Sequence, residues 1–254
     1  AVVYATQSIH KLLAGISQGR AWGWSSLPTL ACFVIAVAAL RLFVTIERRT
    51  AAPLVMLHWF RTRNFAFPML SQMLTNFAYM GGFILIPQVL GQRGLGLSDA
   101  TKGYLVISRP LAFSLIAPLA ALATMRVGER VAGVVGALGV VLSMVLWATV
   151  GLDSSYAFIV LATACSGIGL GIASPALTSL MANSVDEADL GVAGAMQQLM
   201  TQLGAVMGSA VLATVSVTAT PTNLAPFHLA FVVGAVVATG GCVAATFVRS
   251  TPRT

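Results

Sequence analysis

Residues 72, 76 and 79 are Gln, Asn and Tyr, set at i, i+4 and i+7 inside an uncharged apolar run from 65 to 90. A helix puts all three on one face. The chemistry they offer is hydrogen bonding, either to the contents of a water-filled cavity or across to a neighbouring helix. Phe83 extends the stripe by one turn and adds a ring suited to stacking on an aromatic substrate. A second stripe runs through Gln198, Gln202 and Ser209, at i, i+4 and i+11, with Thr201 beside it. It lines the same cavity or lies against another part of the protein. Thr163, Ser166 and Thr178 are weaker signals, because a helical hydroxyl bonds back to its own turn.

Arg109 is the most expensive residue in the chain. It stands five residues into an apolar run from 104 to 125, where a central arginine costs about 2.5–3.5 kcal/mol on insertion scales. Such a side chain faces a cavity or a buried partner, or it snorkels to the outer surface across about 7.5 Å of helical rise. In the first case it pairs with a carboxylate or with an anionic group of a substrate. Arg41, five residues from the end of its own run, reads as a snorkelling residue. All seven acids, Glu47, Asp99, Glu129, Asp153, Asp186, Glu187 and Asp189, fall in loops or at edges. A carrier driven by protons therefore titrates a group outside these residues.

No catalytic set is visible. Gly-x-Ser-x-Gly, His-Glu-x-x-His and Gly-x-x-x-x-Gly-Lys are all missing, which excludes an intramembrane hydrolase and a nucleotide-driven pump. The three cysteines, Cys32, Cys165 and Cys242, are scattered through apolar runs and read as small buried hydrophobes; no ligand spacing suggests a metal. The expectation is a non-enzyme without cofactors.

The elements that carry these residues are long. Apolar runs cover 27–46, 65–90, 104–125, 131–151, 156–181, 190–217 and 227–248, and charged residues make up only 8% of the chain, with mean hydropathy +0.90. About twenty apolar residues match the ~30 Å hydrocarbon core, and only a helix satisfies its own backbone there. The chain reads as an all-α integral membrane protein. Residues 1–17 carry Gln7, His10 and Lys11 and read either as the second half of a helix or as an interfacial amphipathic one. With neither an initiator Met nor a signal pattern, the chain is expected to start mid-protein.

The net charge of +7 follows membrane sidedness rather than nucleic acid. Arg48, Arg49, Arg61, Arg63, Arg126, Arg130, Arg249 and Arg253 lie on one side, against Arg20, Arg93 and Lys102 on the other. The richer side faces the cytoplasm and holds the C-terminus. The loop with Asp186, Glu187 and Asp189 also falls on that side, but acids count little in this rule.

Three parts emerge. Residues 1–46 supply one full span and part of another, 47–64 form a basic cytoplasmic linker, and 65–254 form six closely spaced helices. Leu54, Leu57, Trp59 and Phe60 would lay the linker on the membrane. Six even helices invite a split into three plus three. Gly167 and Gly171, and Gly204 and Gly208, put small residues on one face and let helices touch, as a sliding or a static contact. Pro110, Pro118 and Pro175 are expected to kink their helices, and Gly81-Gly82 marks a soft point.

The order Trp22-Gly23-Trp24, an apolar span, Glu47-Arg48-Arg49, Pro53-Leu54 and Phe60-Arg61-x-Arg63-Asn64-Phe65 resembles the central region of fourteen-helix drug:proton antiporters of the major facilitator superfamily. Tyr79 to Phe83, Arg109 to Phe113 and Asn183 to Val192 extend the resemblance over essentially the whole chain. Arg126, Gly128 and Arg130 match the superfamily's loop between the second and third helices of a bundle, though Met125 and Glu129 depart from it. That match implies a gating role for the loop. Gly204 and Gly208 echo the antiporter motif, with Ser209 where its proline would stand.

The resemblance implies the six-helix C-terminal bundle of a major facilitator fold, preceded by one full and one partial extra helix, with the N-terminal six-helix half missing. It implies proton-coupled efflux of drugs or other amphipathic or cationic small molecules by alternating access, in the cell membrane. Gln72, Asn76, Tyr79, Phe83, Arg109, Gln198 and Gln202 would form the substrate path. An exporter of amino acids or siderophores, or a non-transporting truncated module, stays open as an alternative.

Overall fold

Two of the predicted helices gain their ends from single polar residues. Ser98 accepts a hydrogen bond from the Thr101 amide (3.2 Å), and Ser155 one from the Phe158 amide (3.3 Å). Each fills one of the orphan donors of a helix start. In the computed structural model, which describes residues 11, 26–47, 56–91, 97–151, 153–220 and 223–249, the chain divides into two compact units, Ala1–Arg61 and Thr62–Thr254. Trp22, Trp24, Arg48, Arg49, Pro53, Leu54, Arg20, Arg93, Arg253 and the expectations placed on 1–10 and 12–17 lie outside the described residues.

In the first unit, helix α1 spans Leu27–Glu47, with Pro28 in its first turn, where a missing N–H is harmless. A turn of 3-10 helix follows at Leu57–Arg61. Leu27, Val34 and Val37 on α1 are exposed, so the helix is apolar on the faces it presents outward, as a span in lipid should be.

The second unit is a bundle of six helices: α2 Arg63–Leu90, α3 Asp99–Val127, α4 Glu129–Trp147, α5 Tyr156–Ala182, α6 Leu190–Ser216 and α7 Ala225–Thr246. With α1, all seven are long and apolar enough to cross a membrane, and the described residues form no strand beyond one isolated bridge between Thr220 and Asn223. The chain is an all-α, multi-pass membrane protein. Helices α3 and α5 continue through Pro110, Pro118 and Pro175, and α2 through Pro68 and Pro87.

Helix α3 starts at Asp99, five residues before the predicted run. Ser98 caps it, Asp99 complements the positive end of the helix dipole, and Lys102 pairs with Asp99 at 3.0 Å. This polar first turn extends the helix ahead of Arg109, which is its eleventh residue and the sixth of the predicted run. Glu129 is likewise not a loop residue but the first of α4, separated from α3 by Gly128 alone.

Helix α2 is central, packing mainly on α6 and α7 and also on α5; α5 packs mainly on α4 and α3 and also touches α2. One end of the core is built around the stacked rings of Trp147 and Phe231, 5.4 Å apart and both fully buried. His228 ties α7 to the end of α4 through the Val150 carbonyl at 2.8 Å.

Candidate functional site

Helix α2 brings Tyr79 and Phe83, one turn apart, up to Arg109 on α3. The arginine is 1% exposed. Its guanidinium carbon lies 3.6 Å from the centroid of the Tyr79 ring and 5.7 Å from that of Phe83. Nη2 donates to the main-chain carbonyl of Tyr79, while Nε and Nη1 make no hydrogen bond among the described residues. No carboxylate pairs with it among the described residues. A buried cation without a counter-ion is costly; here the face of a ring and a carbonyl dipole offer partial negative charge in its place. Two of its nitrogens have no protein partner among the described residues.

The snorkelling alternative is therefore not taken. The side chain crosses to α2 instead of climbing to the surface, because the ring and carbonyl of Tyr79 stand within reach. Its backbone is clamped from the other side. A Cβ on Gly167 of α5 would collide with the main-chain oxygen of Arg109 and meet the methyl group of Ala112 at 3.1 Å.

The rest of the first stripe lies inside the bundle. Gln72, Asn76 and Tyr79 are 4%, 3% and 8% exposed. Gln72 Nε2 reaches Ser174 Oγ on α5 at 3.5 Å, and Asn76 Nδ2 donates to the Gln72 carbonyl at 3.0 Å. Of the two uses weighed for this stripe, Gln72 makes an interhelical bond and Asn76 bonds back to its own helix. Two residues that sequence reasoning missed share this stretch. Ser71 and Thr75 are fully buried, and their hydroxyls, like Gln72 Oε1, have no partner among the described residues. The available signal was density: five polar residues between 71 and 79 of an apolar span.

Phe83, Gln198 and Gln202 are exposed, and no described contact joins the two glutamines to Arg109. They also occupy a different face of α6 from its glycines. A Cβ on Gly204 or Gly208 would run into the main-chain oxygens of Met73 and Phe77 on α2, and one on Gly171 would strike Ile116 of α3. All four predicted glycines thus sit where two backbones touch.

At the α3–α4 joint, Gly128 has φ 90°, the one positive φ among the described residues. A glycine takes that conformation without strain, so the chain reverses in a single residue. Arg126 and Arg130 are exposed on either side. Glu129 accepts from Ser179 Oγ of α5 at 3.5 Å, and Asn183 Nδ2 reaches the same hydroxyl at 3.4 Å. This acid at the start of α4 is thereby tied to α5, a link the sequence did not announce.

The sequence matches the family model described as Major Facilitator Superfamily over residues 12–209 and again over 68–254. It is 29% identical over 213 residues to the tetracenomycin C resistance and export protein of Streptomyces glaucescens, covering 83% of this chain and 39% of that one. Against the tetracycline resistance determinant of Streptomyces rimosus it is 30% identical, covering 80% and 59%. Against the multidrug resistance protein Stp of Mycobacterium tuberculosis it is 24% identical, covering 82% and 38%. The chain thus spans about two-fifths of the length of most of these relatives.

Proposed function

The chain belongs to the Major Facilitator Superfamily, and from that premise we propose that its six-helix unit is one bundle of a carrier exporting amphipathic small molecules in exchange for protons. It rocks against a second bundle of the same kind, opening a central path first to one side of the cell membrane and then to the other. Exposed Phe83, Gln198 and Gln202 meet the cargo, with Tyr79 and Arg109 behind them and Gln72 and Asn76 forming the polar wall. Arg126, Gly128 and Arg130 form the hinge loop on the cytoplasmic side. The C-terminus lies in the cytoplasm, residues 47–64 are the basic linker, and residues 1–46 are what the fold adds ahead of the bundle. The titrating group that couples protons stands outside these spans.

Resistance and export are the activities named for the relatives, and they support this choice of cargo over amino acids or siderophores. The observation that carries the reading is Arg109: a buried cation with two unsatisfied donors is poor packing and good recognition. In the full gene product, Arg109→Ala is expected to reduce efflux of a fluorescent drug from energised vesicles to background, at unchanged membrane expression. Undiminished efflux would remove the arginine from the mechanism.

A further inference from the structure

The two ends of the bundle sequence meet at one edge of the membrane. Asn64, in the first turn of α2, accepts a hydrogen bond from the backbone N–H of Arg249, just past the end of α7, at 2.9 Å. Around this tie lies a cavity of about 410 Å³ lined by Thr62, Arg63, Asn64 and Arg249. Both arginines are exposed, and neither guanidinium has a hydrogen-bond or ion-pair partner among the described residues. The start of α2 at Arg63 adds the positive end of a helix dipole to the same corner. Compensating the negative end of α7 accounts for Arg249 but not for Arg63.

An apolar track leads up to this cavity. Val232, Val236, Val243 and Phe247 are all exposed on α7, at spacings that keep them on one face. Phe247 stacks on Phe67 of α2 with ring centroids 5.3 Å apart, placing aromatic rings at the depth where a hydrocarbon layer gives way to headgroups. A ligand that fills both parts is anionic at one end and long and apolar at the other.

We propose that this corner binds the phosphate of an anionic phospholipid, with Arg63 and Arg249 on the headgroup and an acyl chain along α7. Basic pockets between spans on the cytoplasmic side recognise such lipids. The site depends on the chain spanning a membrane and not on any transport activity.

Native mass spectrometry of the purified full gene product, in micelles holding equal phosphatidylglycerol and phosphatidylcholine, tests it. One phosphatidylglycerol is expected to stay bound in preference to phosphatidylcholine. R63Q/R249Q should weaken that retention about fivefold per arginine, or about twenty-fivefold in all. R63K/R249K, which keeps both charges, should retain the preference, and so should R126Q/R130Q, which removes as much charge elsewhere. Equal losses from the two glutamine pairs would reduce the effect to general attraction and overturn the site. Absence of any preference in the native protein would overturn it too, as would displacement by inorganic phosphate with no lipid retained, which would mark a free-anion site.

Discussion

A guanidinium taken out of water seeks negative charge, and Arg109 finds it only in part, in a ring face and a carbonyl. If the ring is what holds it, the hydroxyl of Tyr79 is dispensable and the aromatic face is not. Tyr79→Phe should therefore change stability by less than about 0.5 kcal/mol, while Tyr79→Leu should lose about 2 kcal/mol, the scale of a desolvated cation–π contact. For a chain of this length that is an apparent melting shift of roughly 4–8 °C in detergent. Equal shifts for the two variants would mean that the stack carries no weight. The cost of Arg109 was legible in the sequence, since position inside an apolar run suffices to see it. Its partner was not, because that pairing joins residues thirty apart and depends on how α2 is rotated against α3. Ser71 and Thr75 escaped for another reason: a hydroxyl in a helix reads as bonded to its own turn, and here neither is.

Helices show the same division between what a pattern reveals and what packing decides. Apolar runs gave all seven spans, because the bilayer leaves the backbone no other choice. The ends slipped where a polar residue outside the run set them, as Ser98 does for α3. Glycine spacing announced close contacts without saying against what, and the partners now separate glycines of equal appearance. A Cβ on Gly208 meets the Phe77 carbonyl, whereas one on Gly191 or Gly194, earlier in the same helix, meets nothing within 4 Å. Gly208→Ala should consequently push α6 off α2 and cost about 1–3 kcal/mol, the usual range for overpacking. Gly194→Ala should be neutral or slightly stabilising, by up to about 1 kcal/mol. Thermal unfolding of the two purified variants decides the matter: comparable losses in both would show that backbone contact between α2 and α6 is not what Gly208 serves.

At the scale of the molecule, the contacts repeat. Exchanging α2, α3 and α4 for α5, α6 and α7 turns the α2–α6 contact into α5–α3 and α2–α7 into α5–α4, and these are the four most extensive pairings in the bundle. The pairings α2–α5 and α4–α7 map onto themselves. The main packing pattern of the first three helices thus recurs in the last three, with α2 and α5 in equivalent places. Because three is odd, matching helices run in opposite directions, which is the inverted repeat of secondary transporters. The letters hide this relation: Gly167 and Gly171 of α5 serve the contact with α3, but its counterpart is served by Gly204 and Gly208 on α6, the opposite member of the pair. The repeat also turns sidedness into a single choice, since fixing one end of any helix fixes every other. Arg63, Arg126, Arg130 and Arg249 share one side, with Lys102 on the other, so the positive side should be cytoplasmic. Alkaline phosphatase fused after Ala219, between α6 and α7, should be active in cells, and the same enzyme fused after Arg249 should be at least tenfold less so. Activity in the reverse order would invert the whole bundle at once and put the Arg63–Arg249 corner on the outer leaflet.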